Sequence, residues 1–185
     1  MSDKAFQDYY PDDWNVCYGC GQLNEHGLKI RSYWGDDNEA ISIFYPKPYH
    51  TAIPGYVYGG LIASLIDCHS TGTAAAAAYR AEGREMDTDP PLRFVTASLH
   101  VDYLRPTPIE GPLEVRARVK EIKGRRVVVS STLSVQGVVC ARGEVVAFPT
   151  ESVYGLAVRP GDEVAERTVD RSHPRPGWHR VASLL

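Results

Sequence analysis

The sequence predicts an α+β domain in which an antiparallel sheet of five to six strands wraps around one long central helix. Three observations carry this expectation. Between Pro54 and Tyr79 the chain passes two turn-forming dipeptides, Pro54-Gly55 and Gly59-Gly60, and enters a long run whose one helix breaker is Gly72. Leu61, Ile62, Leu65 and Ile66 recur there at helical spacing and define an apolar side. Further on, Val95, Ala97, Leu99, Val101 and Tyr103 alternate with Thr96, Ser98, His100 and Asp102, the period of a strand. Lys123-Gly124 and Gln136-Gly137 then separate three β-rich runs and mark two tight hairpins.

Taken in order, residues 1–26 read as an irregular lead-in containing one C-x-x-C, Cys17-Tyr18-Gly19-Cys20, followed by Gly21. A structural zinc site normally draws on four ligands, and no second C-x-x-C exists. Cys68 and Cys140 fall inside regular elements, and His26 is the remaining candidate nearby. The reading is therefore a structural loop, with no metal centre and no redox cofactor expected. Leu28–Trp34 and Glu39–Tyr45 read as a hairpin about Gly35-Asp36-Asp37-Asn38, and Pro46 and Pro48 close it before a loop bearing His50. After the helix, Arg80–Pro91 form a charged connection. Strands follow over Leu92–Leu104, Leu113–Ile122, Arg126–Val135 and Val138–Phe148. The main domain is expected over 27–150. Beyond it, 151–185 is a charged tail with prolines and glycines, with Trp178 as a candidate anchor.

The totals narrow the function classes. A chain of 185 residues can bury one full core. A net charge of -3 and a pI near 6.1 give no electrostatic reason to expect nucleic acid. No apolar run approaches the roughly 20 residues a bilayer span requires, and the acidic, aromatic N-terminus lacks signal-peptide character, so the expectation is a cytoplasmic protein away from membranes. Four cysteines in a chain of this length do not make a disulfide framework.

The helix is chemically lopsided. Opposite its apolar side lie Gly60, Ala63, Ser64, Asp67, Thr71 and Ala74, a stripe of small residues with one carboxylate. The double glycine places unpaired amides and the positive end of the helix dipole at its start, where a negatively charged oxygen is stabilised. Burying the small-residue side against a second copy of the chain predicts a homodimer.

Three segments give this chain a resemblance to hotdog-fold acyl-CoA thioesterases of the phenylacetate-degradation (PaaI) type. Cys17-Tyr18-Gly19-Cys20-Gly21 through Asn24 and Gly27-Leu28 is similar to the family's lead-in. Pro54-Gly55-Tyr56-Val57-Tyr58-Gly59-Gly60 through Asp67 is similar to its P-G-x-x-H-G-G with an acid seven residues on. Thr96 through Tyr103-Leu104-Arg105-Pro106 is similar to its T-x-x-L-x-x-x-Y-L-R-P strand. Together they cover about residues 15–148.

The resemblance implies hydrolysis of an acyl-CoA without a cofactor, in a homodimer or a dimer of dimers whose subunits share the site. Asp67 would be general base or nucleophile, the Gly59 or Gly60 amide would polarise the thioester carbonyl, and Thr96 would help hold the attacking water. His50 falls near a position where relatives place an active-site Asn or Gln. Lys123, Arg125, Arg126 and Arg105 are candidate partners for the phosphates of coenzyme A. One departure is clear: the family's histidine before Gly-Gly is Tyr58 here, a residue that donates a hydrogen bond but does not titrate near neutrality. It brings in a second reading, an acyl-CoA binder without turnover. A hydratase or dehydratase of the same fold is a third, and it lacks support because His50 has no neighbouring acid in its loop. His69 lies about 200° round the helix from Asp67 and reads as a core or interface histidine.

Overall fold

The structure, a computed structural model, describes residues 4–150. The tail 151–185, with Trp178, lies outside the described residues. Six strands form one antiparallel sheet against one helix: β1 (Tyr33–Trp34), β2 (Ala40–Phe44), α1 (Gly59–Ala81), β3 (Phe94–Tyr103), β4 (Leu113–Lys123), β5 (Arg126–Val135) and β6 (Val138–Pro149). The spatial order is β1-β2-β4-β5-β6-β3, so β3 follows the helix in sequence and ends up as a sheet edge. The fold expected from the sequence is the fold observed.

The apolar side of α1 meets the sheet. Leu61, Ile62, Leu65 and Ile66 are all buried, and they join Val115, Val129, Leu133 and Val145 in one core. The helix lies close to Gly143 on β6, where a Cβ would fall 2.3 Å from Ile66 Cγ2. Only a residue without a side chain lets the helix lie this near the strand.

The lead-in is more than an irregular approach. Ala5, Phe6 and Gln7 are at most 1% exposed, and Phe6 packs edge-on against Trp34 with ring centroids 5.1 Å apart. Gln7 Oε1 accepts the Ser32 amide at 2.8 Å, and the Phe6 amide donates to the Ser32 carbonyl at 2.8 Å. This explains why β1 is shorter than the seven-residue strand the sequence suggested. Residues 28–32 are not strand: the amides of Leu28 and Ile30 donate to Tyr18 and Gly19 of the lead-in, and Lys29 takes a positive φ of 56°. The lead-in competes with β2 for that backbone and takes it. The same segment crosses α1 at Gly72, where a Cβ would lie 3.3 Å from the Tyr10 hydroxyl.

Register sets which residues share an end of the sheet. Thr96, Ala147 and Val127 form one row across β3, β6 and β5, and Tyr103, Ala141 and Leu133 form another. A bulge between Thr96 and Ser98 separates the two rows on β3. One extra residue reverses the side-chain parity. Thr96 therefore faces α1 together with Val101 and Tyr103, although the plain alternation in the sequence grouped it with Ser98, His100 and Asp102.

Candidate active site

Asp67 projects from the middle of α1 toward the edge strand β3. Ala63, Ser64, Asp67 and Thr71 on the small-residue stripe are all half-buried. Thr96 donates its hydroxyl proton to Asp67 Oδ1 at 2.5 Å. A hydroxyl has one proton to give, so the 2.7 Å contact between Thr71 and Thr96 runs with Thr71 as donor. The result is a directed chain, Thr71 to Thr96 to Asp67. It holds one carboxylate oxygen, and Oδ2 accepts no hydrogen bond among the described residues. Burial raises the pKa of Asp67 above the usual carboxylate range, the Thr96 hydrogen bond lowers it, and the charge of Cys17 raises it.

The helix start is a separate place. Leu61 and Ile62 both donate to the Tyr58 carbonyl, so the Gly59 and Gly60 amides precede the first closed turn. Tyr103 on β3 donates its hydroxyl to the Gly59 carbonyl at 2.9 Å. The Tyr58 ring lies over Gly60, where a Cβ would fall 2.3 Å from its edge. Gly60 and Asp67 lie on one face of α1 but seven positions apart, roughly 10 Å along the axis at about 1.5 Å per residue. One carbonyl group requires its attacking water and its oxyanion donors within about 3 Å of the same centre. Within one chain the acid and the helix-start amides cannot meet on it.

The remaining sequence candidates divide between these two ends. The hairpin carrying Lys123, Arg125 and Arg126 lies at the Thr96 end of the sheet, because Val127 shares the Thr96 row. Arg126 is paired with Glu121 at 2.7 Å, Arg125 donates to the Pro149 carbonyl at 3.2 Å, and Lys123 is exposed. Arg105 follows Tyr103 at the other end and donates to the Val139 carbonyl at 2.7 Å. It borders a shallow groove with Pro106, Pro108, Glu110 and Gln136. The ten-residue β5 separates the two ends, a length of about 30 Å at 3.3 Å per residue. His50 contributes through its backbone: its carbonyl accepts the Tyr58 amide at 2.9 Å and fixes the approach to the helix. The His50 ring accepts the Lys47 amide at 3.0 Å and packs on Phe44 and Tyr49, none of which belongs to the Asp67 group. His69 is a core histidine. Its Nδ1 contacts Ser32 Oγ at 2.8 Å and its Nε2 the Ala40 carbonyl at 3.2 Å, and burial holds its pKa down to about 4.

Sequence reasoning missed one group. Cys68, set apart because it sits inside the helix, lies with its Sγ 4.0 Å from that of Cys17, and the sulfurs of Cys17, Cys20 and Cys68 all lie within 4.8 Å of one another. Helical spacing alone points Cys68 about 100° from Asp67. What no local pattern shows is that the lead-in folds back over that side of the helix.

Comparison with known proteins agrees with this architecture. The model of the thioesterase superfamily matches residues 54–147, which include α1, Asp67 and Thr96. A thioesterase superfamily protein from Shewanella loihica PV-4 is 48% identical, over 69% of this chain and 96% of that one, with a TM-score of 0.55. The E. coli PaaI protein of the phenylacetic acid degradation operon has the same fold at 17% identity, over 68% of this chain and 82% of that one, TM-score 0.55. Among curated proteins, the acyl-coenzyme A thioesterase THEM4 of Xenopus laevis is 33% identical over 94 residues, 51% of this chain and 36% of its own length. The chain thus spans about a third of the length of the curated relatives it matches. One long helix on a six-stranded antiparallel sheet, with an acid at mid-helix and a glycine pair at its start, defines a hotdog-fold protein. This chain belongs to the thioesterase superfamily.

Proposed function

We propose that the chain hydrolyses acyl-CoA thioesters at a site shared by two copies, with Asp67 of one copy and the Gly59 and Gly60 amides of the other. The observation that carries the reading is the hydroxyl chain from Thr71 through Thr96 to Asp67 on a half-buried helix face. It orients the carboxylate and leaves Oδ2 free for a water. The water attacks the thioester carbonyl and its proton passes to Oδ2. The carbonyl oxygen becomes an oxyanion held by backbone amides. Collapse expels the CoA thiolate, and the proton on Asp67 returns to it or to solvent. In this account Thr96 spends its proton on Asp67 and so positions the carboxylate, while its part in holding the water passes to Asp67 itself.

The need for a second copy follows from the 10 Å gap and from what is exposed. β3 is an edge strand, and Tyr58, Leu99, Tyr103 and Leu104 near it are 59%, 39%, 55% and 43% exposed. An unpaired edge with large apolar side chains is a surface suited to pairing. Two β3 strands related by a twofold axis run antiparallel and bring opposite ends together. Tyr103 and the glycine amides of one copy then stand opposite Thr96 and Asp67 of the other. The same operation brings Arg105 of one copy toward the Lys123, Arg125 and Arg126 hairpin of its mate, giving the phosphates of coenzyme A cations from both. Tyr58, over Gly60, supplies a hydroxyl beside the oxyanion where relatives carry histidine.

The test is hydrolysis of a panel of acyl-CoAs by the purified protein and by Asp67→Asn. Turnover that falls at least ~100-fold in the variant is expected for the loss of a general base. Turnover untouched by the substitution removes Asp67 from the mechanism. Tight acyl-CoA binding with no turnover in either form turns the reading to an acyl-CoA-binding protein.

A further inference from the structure

The thiols of Cys17, Cys20 and Cys68 form a group that the hydrolytic reading does not use. They come from two places, the C-x-x-C turn of the lead-in and the middle of α1, one residue past Asp67. Two glycines let them meet. A Cβ on Gly19 would sit 2.2 Å from Cys68 Sγ, so any side chain there would push the helix sulfur out. A Cβ on Gly21 would lie 2.4 Å from the Cys17 amide nitrogen and 2.6 Å from its carbonyl oxygen, contacts with backbone that cannot yield. The turn itself is fastened on both sides. Gly21 donates to the Cys17 carbonyl at 2.8 Å, Gln22 donates to Asn15 Oδ1 at 2.7 Å, and Ile30 donates to the Gly19 carbonyl at 3.0 Å. The loop is a built cradle.

The spacing identifies what the cradle fits. A tetrahedral ion with bonds to sulfur of about 2.3 Å sets its sulfurs roughly 3.8 Å apart. Cys17 and Cys68 are 4.0 Å apart, and no pair in the group exceeds 4.8 Å. A disulfide would need one pair to close to about 2.05 Å and would leave the third thiol over. Three converging soft ligands suit a d10 cation. We propose that Cys17, Cys20 and Cys68 bind one zinc ion per chain, with water in the fourth position, and that the ion staples the lead-in to α1 beside Asp67. Cys140 takes no part. It is buried on β6, and its thiol donates to the Val138 carbonyl at 3.4 Å.

The inference stands apart from the hydrolytic reading, and its test does not use activity. The full chain, reduced and stripped with a chelator, is titrated with cobalt(II) and then with zinc(II). A sulfur-to-cobalt charge-transfer band with tetrahedral ligand-field bands is expected, saturating at one ion per chain and displaced by zinc. Zinc should also raise the melting temperature, because binding to the folded state alone adds to its stability. Cys17→Ser and Cys68→Ser should each lose the band, and Cys140→Ser should keep it. Circular dichroism of the exposed-site variant Cys17→Ser checks that the fold survives. No charge-transfer band in the reduced wild type overturns the proposal, as does a band that persists in Cys68→Ser. A Cys17–Cys68 disulfide found by mass spectrometry in protein that binds neither metal overturns it too, and makes the group a redox pair.

Discussion

Thr96 on β3 gives its only hydroxyl proton to Asp67 Oδ1 at 2.5 Å and receives one from Thr71 at 2.7 Å. The carboxylate is thereby held by a residue twenty-nine positions away on the edge strand of the sheet. Hydrogen bonds to a charged group are worth about 1.5–3 kcal/mol, or roughly 10–100-fold in rate if lost from the transition state. Thr96→Val should therefore lower kcat by about that factor, and Thr96→Ser should restore most of it. The hydrogen bond favours the ionised carboxylate. Its removal raises the Asp67 pKa further, so the acidic limb of the kcat/KM profile should move to higher pH in Thr96→Val. An unmoved limb would mean that Thr96 acts only in packing.

Gly143→Ala tests how closely the helix is seated. The added methyl would stand 2.3 Å from Ile66 Cγ2 and 3.0 Å from Ser131 Oγ, inside the core. Overpacking of this kind costs about 1–3 kcal/mol. Thermal or urea unfolding should show the loss, and a neutral result would place α1 farther from β6 than described.

His69 predicts an acid sensitivity of the fold that is independent of catalysis. Its folded pKa is depressed to about 4 by burial, against an unfolded value near 6.5. Between those values the unfolded chain binds the extra proton, so stability rises with pH through this window and is lost as pH falls through it. The full loss is on the order of 3 kcal/mol. His69→Gln should flatten this part of the stability profile measured by denaturant unfolding. A wild-type profile already flat from pH 6.5 down to 4 would contradict the buried neutral ring.

What was legible in the sequence was what short-range periodicity encodes. Leu61, Ile62, Leu65 and Ile66 marked the buried side of α1, and Lys123-Gly124 and Gln136-Gly137 marked the hairpins. Asp67 stood out as the lone acid among small residues. The site was less legible where long-range placement decides. The bulge after Thr96 adds one residue and turns Thr96 toward the helix, against the alternation its neighbours display. Leu28–Ser32 looked like strand, but the lead-in takes its hydrogen bonds. Cys68 looked like any helical cysteine until the chain from Cys17 to Cys20 was folded over it. Lys123 and Arg105, equal candidates from sequence, fall at opposite ends of the sheet, a fact of register that spacing along the chain does not contain.

The central claim is that acid and oxyanion donors come from different copies, and subunit complementation addresses it directly. Asp67→Asn removes the acid. Gly59→Pro removes an amide donor at the first helical position, where proline is tolerated and Tyr58 before it is already extended, and should cost on the order of 10²–10³ in rate. Co-expressed with different tags, the two variants form mixed dimers in which one of the two sites is intact. Random pairing should then return about a quarter of wild-type acyl-CoA hydrolysis, while each variant alone stays near zero. A mixture no more active than its parents, in samples shown to contain the mixed dimer, would contradict the shared site.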